Sequence, residues 1–135
     1  MANVLVTGSD GFVGKNLCVW LKEHHHKVCL FQRETDLSEL NFILPKVDFI
    51  CHLAGVNRSP EDKDFISSNQ NLTELLCQKI KELNVRVPVI FTSSKMVSND
   101  SNLYSETKRS AEQCLIKLAQ KMDFPLLILR LPNLF

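Results

Sequence analysis

Glycine is scarce in this chain, and its placement is informative. Only four glycines occur in 135 residues, and three of them stand at positions 8, 11 and 14. No apolar run approaches the ~20 residues of a membrane span, and the N-terminus shows no signal-peptide pattern. A net charge of +1 with interspersed signs gives no footprint for nucleic acid or an anionic membrane. We therefore expect a single cytoplasmic domain that binds neither nucleic acid nor membrane.

Metal-ligand spacings are also missing. The five cysteines are odd in number and scattered without a C-x-x-C pair, which disfavours a metal or redox role and suggests reduced thiols. The three consecutive histidines, His24 to His26, cannot all point at one ion. A solvated turn, with one histidine in the left-handed conformation, is favoured over a metal site. We predict that no metal is bound.

The remaining pattern alternates strands with helices. Strand-like runs occur at 3–7, 28–32, 47–53, 87–92 and 126–130, and helical patterns at 12–23, 61–83 and 103–122. Ser59 and Pro60 suit the N-cap and first position of the second helix. The later strands are mostly apolar, as in sheets covered on both faces. The alternation predicts an α/β fold, a Rossmann-type doubly wound parallel sheet with right-handed crossovers.

The glycine motif stands where such a fold binds phosphate. A strand feeds directly into G-x-x-G-x-x-G, and a helix follows. Gly8 permits the tight turn, Gly11 lets the backbone approach a pyrophosphate, and Gly14 lets the helix pack close to the strand. The helix N-terminus attracts the phosphate charge. A glycine-rich turn without a ligand is the alternative, but the succession of strand, turn and helix favours nucleotide binding.

Tyr104 and Lys108 form a second motif. Tyr104 is the only tyrosine, and the two residues share one face of a helix because four positions separate them. A nearby ammonium lowers the pKa of a phenol, which makes it a usable acid or base near neutral pH. The pair opens a helix shortly after a strand that ends in Thr92-Ser93-Ser94, at the carboxyl edge where open α/β sheets bind ligands.

Taken in order, the motifs resemble the extended short-chain dehydrogenase/reductases of the NAD-dependent epimerase/dehydratase family. The resemblance spans essentially the whole chain: T-G-x-x-G-F-x-G from Thr7, H-L-A-G from His52, Asn69 with Thr73, F-T-S-S from Phe91, Y-x-x-x-K from Tyr104 and R-x-x-N from Arg130. The runs H-L-A-G-V-N-R and R-L-P-N-L-F further resemble the CapF-like capsular polysaccharide reductases. Those enzymes reduce the 4-keto group of a UDP-linked 2-acetamido-deoxyhexose with NADPH, which implies a UDP-sugar substrate here.

The resemblance also implies roles for residues at matching positions. Tyr104 would protonate the carbonyl oxygen, Lys108 would bind the nicotinamide ribose and lower the tyrosine pKa, and Ser94 would orient the carbonyl. The implied cofactor-binding residues lie in the glycine motif, after the second and third strands, and on the last helix: Gly8, Gly11, Phe12, Val13, Gly14, Arg33, Asp36, Leu37, Leu53, Ala54, Gly55 and Lys108. Asn69 is expected to steady the neighbouring helix and strand rather than contact substrate.

The end of the second strand bears on the choice of cofactor. NAD-selective members of this fold place an acidic residue there, whereas Arg33 suits a 2′-phosphate. Glu34 follows at once and leaves NAD possible. Asp36 and Leu37 resemble the pair that meets the adenine ring in this superfamily. NADPH is therefore favoured over NADH.

The same comparison bears on the reaction. Nucleotide-sugar dehydratases carry an Asp-Glu pair after the serine or threonine position, whereas Ser94 is followed by Lys95-Met96, so dehydration is disfavoured. A reductase leads a nucleotide-sugar epimerase because an NADP-type site suits a cofactor that is exchanged at each turnover. A non-catalytic NAD(P)-binding module is the further alternative.

Chain length and a helix pattern complete the expectations. The chain stops at Phe135, where the family usually continues with the segments that build the sugar-nucleotide pocket. We expect the N-terminal part of a longer enzyme, binding NADPH weakly and turning over poorly or not at all by itself. Apolar residues such as Ile116 and Ala119 on a second face of 103–122 predict a homodimer through the helices 61–83 and 103–122, the usual dimer face of the family.

Overall fold

A computed structural model describes residues 1–55, 61–98 and 102–132, without the side chains of 64, 65 and 68. Five strands are present: β1 (Asn3–Thr7), β2 (Lys27–Phe31), β3 (Phe49–His52), β4 (Val89–Ser94) and β5 (Leu126–Leu131). The α-helices are α1 (Phe12–Glu23), α2 (Leu40–Ile43), α3 (Asp62–Phe65), α4 (Leu72–Glu82) and α5 (Leu103–Met122). Short 3₁₀ turns occupy Leu37–Glu39, Leu44–Lys46 and Lys95–Ser98, and a π-helical segment spans Ile66–Asn71.

The strands form one parallel sheet in the order β2-β1-β3-β4-β5. The chain order reverses between β1 and β3, and ligands of doubly wound sheets bind outside the carboxyl ends of the strands at that point. The predicted fold class is confirmed. The observed strand bounds differ from the predicted ones by one or two residues at most ends. The apolar runs 47–53 and 87–92 begin before the first paired residues, whereas β4 pairs two residues further than predicted, through the polar Ser93 and Ser94.

Helices cover both faces of the sheet. On one face α1 packs on β1 and β3 through a small core of Val4, Val6, Cys18, Leu21 and Cys51. The other face carries the larger core, in which α4 and α5 contact Leu5, Ile50 and Phe91. Alternate residues of each inner strand therefore enter different cores, which explains their nearly continuous apolar sequence.

The predicted helix over 61–83 is not one regular helix. It begins at Asp62 with Glu61 as N-cap, passes through the π-helical segment, and resumes as α4. The predicted N-cap Ser59 and the predicted first helical residue Pro60 lie outside the described residues. No apolar residue lies between Ile66 and Leu72 in the sequence. The segment therefore has no hydrophobic periodicity from which a change of helix type could be predicted.

The segment Leu37–Lys46 was not predicted as helical. Its two short 3₁₀ turns and α2 bury Leu40 and Leu44 at 1% exposure each in the larger core. These leucines are spaced i, i+4, which is a helical signal too short to stand out from a loop.

The turn at the three histidines has the predicted conformation. His25 has a φ of 64°, and His24 and His25 are exposed. His26 is half-buried, and its Nδ1 accepts a hydrogen bond from the Ala2 backbone N–H at 3.0 Å. Among the described residues no group of three potential metal ligands occurs. No helix in the described part of the chain is long and apolar enough to cross a membrane.

Candidate functional site

The turn between β1 and α1 is built on two close backbone contacts. Gly8 has a φ of +70°, and a Cβ there would lie 2.6 Å from the Ala54 amide nitrogen. A Cβ on Gly14 would collide with the Gly8 carbonyl oxygen. Any other residue at either position would push the turn away from the end of β3 or from α1.

Gly11 has a different environment. A Cβ there would touch only the Gly8 oxygen, at an ordinary 3.5 Å, so the position is open to the carboxyl edge of the sheet. Gly11 is the N-cap of α1 and offers no side-chain cap. The first amide N–H groups of the helix therefore remain available to an anion at its positive end.

A cleft of about 840 Å³ opens at this edge of the sheet. Seven of the twelve predicted cofactor residues line it: Gly8, Gly11, Arg33, Leu37, Leu53, Ala54 and Gly55. Its other lining residues were not predicted from the sequence: Asp10, Phe31, Gln32, Thr35, Ser67, Asn71, Leu72 and Leu75. The π-helical segment and α4 supply four of these, and no motif marked that wall.

The other predicted cofactor residues lie outside the cleft lining. Phe12 is 69% exposed, Val13 is half-buried, and Gly14 is buried against Gly8. The Asp36 carboxylate instead accepts a hydrogen bond from the Ser38 backbone N–H at 2.9 Å and caps the following 3₁₀ turn. Lys108 reaches the cleft wall from beneath.

Arg33 lies at the tip of a turn after β2. The Thr35 hydroxyl accepts from the Gln32 backbone N–H, and the Thr35 N–H donates to the Gln32 carbonyl, both at 3.0 Å. These bonds close the turn and leave Arg33 and Glu34 exposed. Arg33 lines the cleft, whereas Glu34 does not.

Lys108 is held beneath the cleft wall. Its residue is 5% exposed, its Nζ donates to the Thr92 carbonyl at 3.0 Å, and it lies 5.0 Å from the centroid of the Phe91 ring. A Cβ on Gly55 would lie 2.8 Å from the Lys108 Nζ, so a glycine is required where the cleft wall covers the ammonium. Burial lowers the pKa of Lys108 to about 8, although Glu112 one turn away acts in the opposite direction.

Tyr104 is half-buried and stands one turn before Lys108 in α5. The Ser94 hydroxyl, at the end of β4, accepts from the Met96 N–H at 3.2 Å. The Ser105 hydroxyl donates to the Met96 carbonyl at 3.3 Å. The start of α5 is thereby tied to the segment that follows Ser94, which brings the helix with Tyr104 to the carboxyl end of β4.

A buried polar chain, not predicted as such, connects these elements. His52 is fully buried, with Nδ1 2.7 Å from the Thr7 Oγ1 and Nε2 2.8 Å from the Thr73 Oγ1. The Thr73 hydroxyl donates to the Asn69 carbonyl at 3.2 Å, and the Asn69 side-chain N–H donates to the Thr107 hydroxyl at 3.3 Å. Asn69 thus connects the π-helical segment to α5.

Glu112 and Arg130 form an ion pair behind the site. The Glu112 carboxylate is 2% exposed and accepts two hydrogen bonds from the Arg130 guanidinium, at 2.8 and 3.1 Å. Arg130 also donates to the Ser98 hydroxyl at 2.9 Å. Although burial opposes the shift, the Arg130 guanidinium, with further contributions from Ser93 and the charge of Arg109, holds the pKa of Glu112 below its usual value. The pair joins β5 to α5; Asn133 of the same motif lies outside the described residues.

The five-stranded parallel sheet with helices on both faces, and the cleft at its carboxyl edge, define a Rossmann-like α/β domain. The profile of the NAD dependent epimerase/dehydratase family matches residues 4–135, and the chain belongs to this family.

Three known proteins illustrate the likeness. The chain is 42% identical over 133 residues to the UDP-2-acetamido-2,6-beta-L-arabino-hexul-4-ose reductase of Pseudomonas aeruginosa strain PA103, covering 98% of this chain and 36% of the reductase. It is 36% identical to the capsular polysaccharide assembling protein CapF of Staphylococcus aureus, with a TM-score of 0.83 and coverage of 98% and 36%. The UDP-glucuronic acid 4-epimerase of Bacillus cereus, solved with NAD, shares the fold at 20% identity, with a TM-score of 0.82 and coverage of 97% and 57%.

Proposed function

We propose that the chain forms the dinucleotide-binding part of an NADPH-dependent reductase, which reduces the 4-keto group of a UDP-linked deoxy-amino sugar for capsule or surface polysaccharide synthesis. The 42% identity to a UDP-sugar reductase, over nearly the whole chain, is the observation that carries this proposal. The chain spans 36% of the length of that reductase and 36% of the length of CapF, and the rest of each relative has room for substrate-binding segments.

The cleft residues fit a nicotinamide dinucleotide. Gly11 leaves space for a pyrophosphate at the uncapped N-terminus of α1, and the apolar Leu37 and Leu53 suit a flat adenine ring. Arg33 favours the 2′-phosphate of NADPH because a guanidinium forms charge-assisted hydrogen bonds with phosphate. NADPH, when bound, supplies the hydride.

Side chains of this chain would carry out the proton transfer. The Tyr104 phenol donates its proton to the carbonyl oxygen as the carbonyl carbon becomes C–H, and a hydroxyl results. Lys108, buried below Gly55, stabilises the phenolate left on Tyr104 and donates to the ribose. The Ser94 hydroxyl orients the carbonyl. Dehydration is not proposed, because Lys95 and Met96 follow Ser94 in place of acidic residues.

The proposal includes a homodimer through α4 and α5. Fewer exposed apolar residues support it than the sequence predicted. Ala119 was expected on an exposed second face of α5, but it is buried in the larger core at 8% exposure. Ile116 is half-buried, whereas Leu75 of α4, although 38% exposed, lines the cleft. Light scattering at high concentration should give twice the monomer mass; a monomer throughout would contradict the dimer.

Turnover tests the proposed reaction. The complete gene product, mixed with NADPH and a 4-keto UDP-sugar, should oxidise NADPH in proportion to the carbonyl consumed. An epimerase would interconvert sugar isomers without net oxidation of NADPH. A non-catalytic module would bind NADPH and leave both compounds unchanged. Either result would overturn the reductase proposal.

A further inference from the structure

We propose that His52 is a positioning residue, whose neutral ring, protonated on Nε2, holds the cleft wall at Leu53–Gly55 in register with α4 and α5. This inference rests on the proposed function only for the identity of the ligand, since the contacts that carry it lie wholly within the chain.

The hydrogen bonds of Thr7 determine one end of the arrangement. The Thr7 Oγ1 accepts from the backbone N–H groups of Leu53 and Ala54, at 3.0 and 3.1 Å; the Leu53 N–H also reaches the Thr7 carbonyl, at a longer 3.2 Å. A hydroxyl oxygen has two lone pairs and one proton, so its proton must go to the remaining partner, the His52 Nδ1 at 2.7 Å. The Nδ1 of His52 is therefore an acceptor and carries no proton.

The hydrogen bonds of Thr73, on the opposite side of the ring, assign the same tautomer to His52. Its hydroxyl proton is committed to the Asn69 carbonyl at 3.2 Å, because a carbonyl oxygen can only accept. The contact of 2.8 Å between the Thr73 Oγ1 and the His52 Nε2 then requires the ring to donate. Both ends thus independently assign the Nε2–H tautomer. Burial, and secondarily the charge of Lys108, lowers the pKa of His52 to about 3, which agrees with a neutral ring.

The hydrogen-bonded chain extends from His52 to α5 through Asn69. The Asn69 amide donates to the Thr107 hydroxyl at 3.3 Å, and that hydroxyl donates to the Tyr104 carbonyl at 2.9 Å. A Cβ on Gly55 would lie 2.7 Å from the Asn69 Oδ1 and 2.8 Å from the Lys108 Nζ. Both side chains therefore converge below the wall that His52 secures through Thr7.

The tautomer and its connection to the wall can be measured without any ligand. In the ¹⁵N-labelled chain, nitrogen–proton correlation should show the His52 Nε2 protonated and Nδ1 unprotonated at neutral pH. In Thr73→Val the Nε2–H loses its acceptor, and the Leu53 and Ala54 amides should exchange with solvent faster although Thr73 does not contact them. Thr73→Ser, which keeps the hydroxyl, should restore their protection.

Ile80→Val is the matched control. Ile80 is buried in α4 at 1% exposure and forms no part of the polar chain, so this variant loses packing only. We expect Thr73→Val to weaken NADPH binding about five-fold, the effect of one net hydrogen bond, while Thr73→Ser and Ile80→Val stay within about two-fold of wild type.

Each outcome decides the inference. A wild-type ring protonated on Nδ1, or Thr73→Val amides that exchange like those of Ile80→Val, would overturn it. Failure of the wild-type chain to bind NADPH would count against the proposed cofactor, while the tautomer and the exchange pattern would still decide the role of His52.

Discussion

Lys108 should make the stability of the fold rise with pH between neutrality and pH 9. Its pKa falls from 10.5 to about 8 because the ammonium is buried. The unfolded chain keeps this proton up to about pH 10.5, so it binds more protons than the folded chain between these values, and the free energy of unfolding increases with pH there. Below pH 8 the buried charge lowers the free energy of unfolding by about 3 kcal/mol, since each unit of the pKa difference corresponds to about 1.36 kcal/mol.

The assay compares urea unfolding of wild type and Lys108→Met at several pH values. About 1 kcal/mol of the cost should be recovered by wild type between pH 7 and pH 9, whereas the variant lacks this dependence. Other titrating groups cancel in the difference between the two proteins. Lys121→Met, which removes an exposed lysine of the same helix, should follow wild type. A difference between wild type and Lys108→Met that stays constant from pH 7 to 9 would refute the reasoning.

Two further predictions concern charged side chains. Arg33→Ala should lower the ratio of NADPH affinity to NADH affinity roughly ten-fold, or more if the contact is bidentate, because a charge-assisted hydrogen bond contributes about 1.5–3 kcal/mol. Equal affinity ratios in wild type and the variant would reject this role of Arg33. Arg130→Met removes the guanidinium that donates two hydrogen bonds to the buried Glu112 carboxylate, with Ser93 and the charge of Arg109 left beside it, and should lower the free energy of unfolding at pH 7 by about 2 kcal/mol. Because Arg130 holds the pKa of Glu112 below its usual 4.5, the stabilisation is present above that pH and is lost as the pH falls through the folded-state pKa. The deficit of the variant in urea unfolding should therefore shrink in acid, and a deficit independent of pH would contradict the pairing.

The sequence predicted the parts of the fold that have strong local signals. Three clustered glycines, apolar strand runs and the Tyr104–Lys108 spacing placed the sheet, the turn after β1 and α5. The rest depends on contacts between distant residues. That Ala119 is buried depends on how α5 packs on the sheet, and the second wall of the cleft depends on a polar π-helical segment without periodicity.

The polar chain at His52 shows the same limit at a single residue. His52 was identified only as part of a motif, because a buried histidine acquires its role from threonines 45 and 21 positions away in sequence. Its neighbours β1 and α4 come together only when the sheet forms. Asn69 was expected to steady the neighbouring helix and strand, and its side chain donates to Thr107 of α5.

Single-turnover reduction in the complete gene product tests the central claim most directly. With NADPH prebound and a 4-keto UDP-sugar added, Tyr104→Phe should bind NADPH within about two-fold of wild type yet form product at least about a hundred-fold more slowly, the usual contribution of a general acid. Product formation by Tyr104→Phe at the wild-type rate would contradict the account.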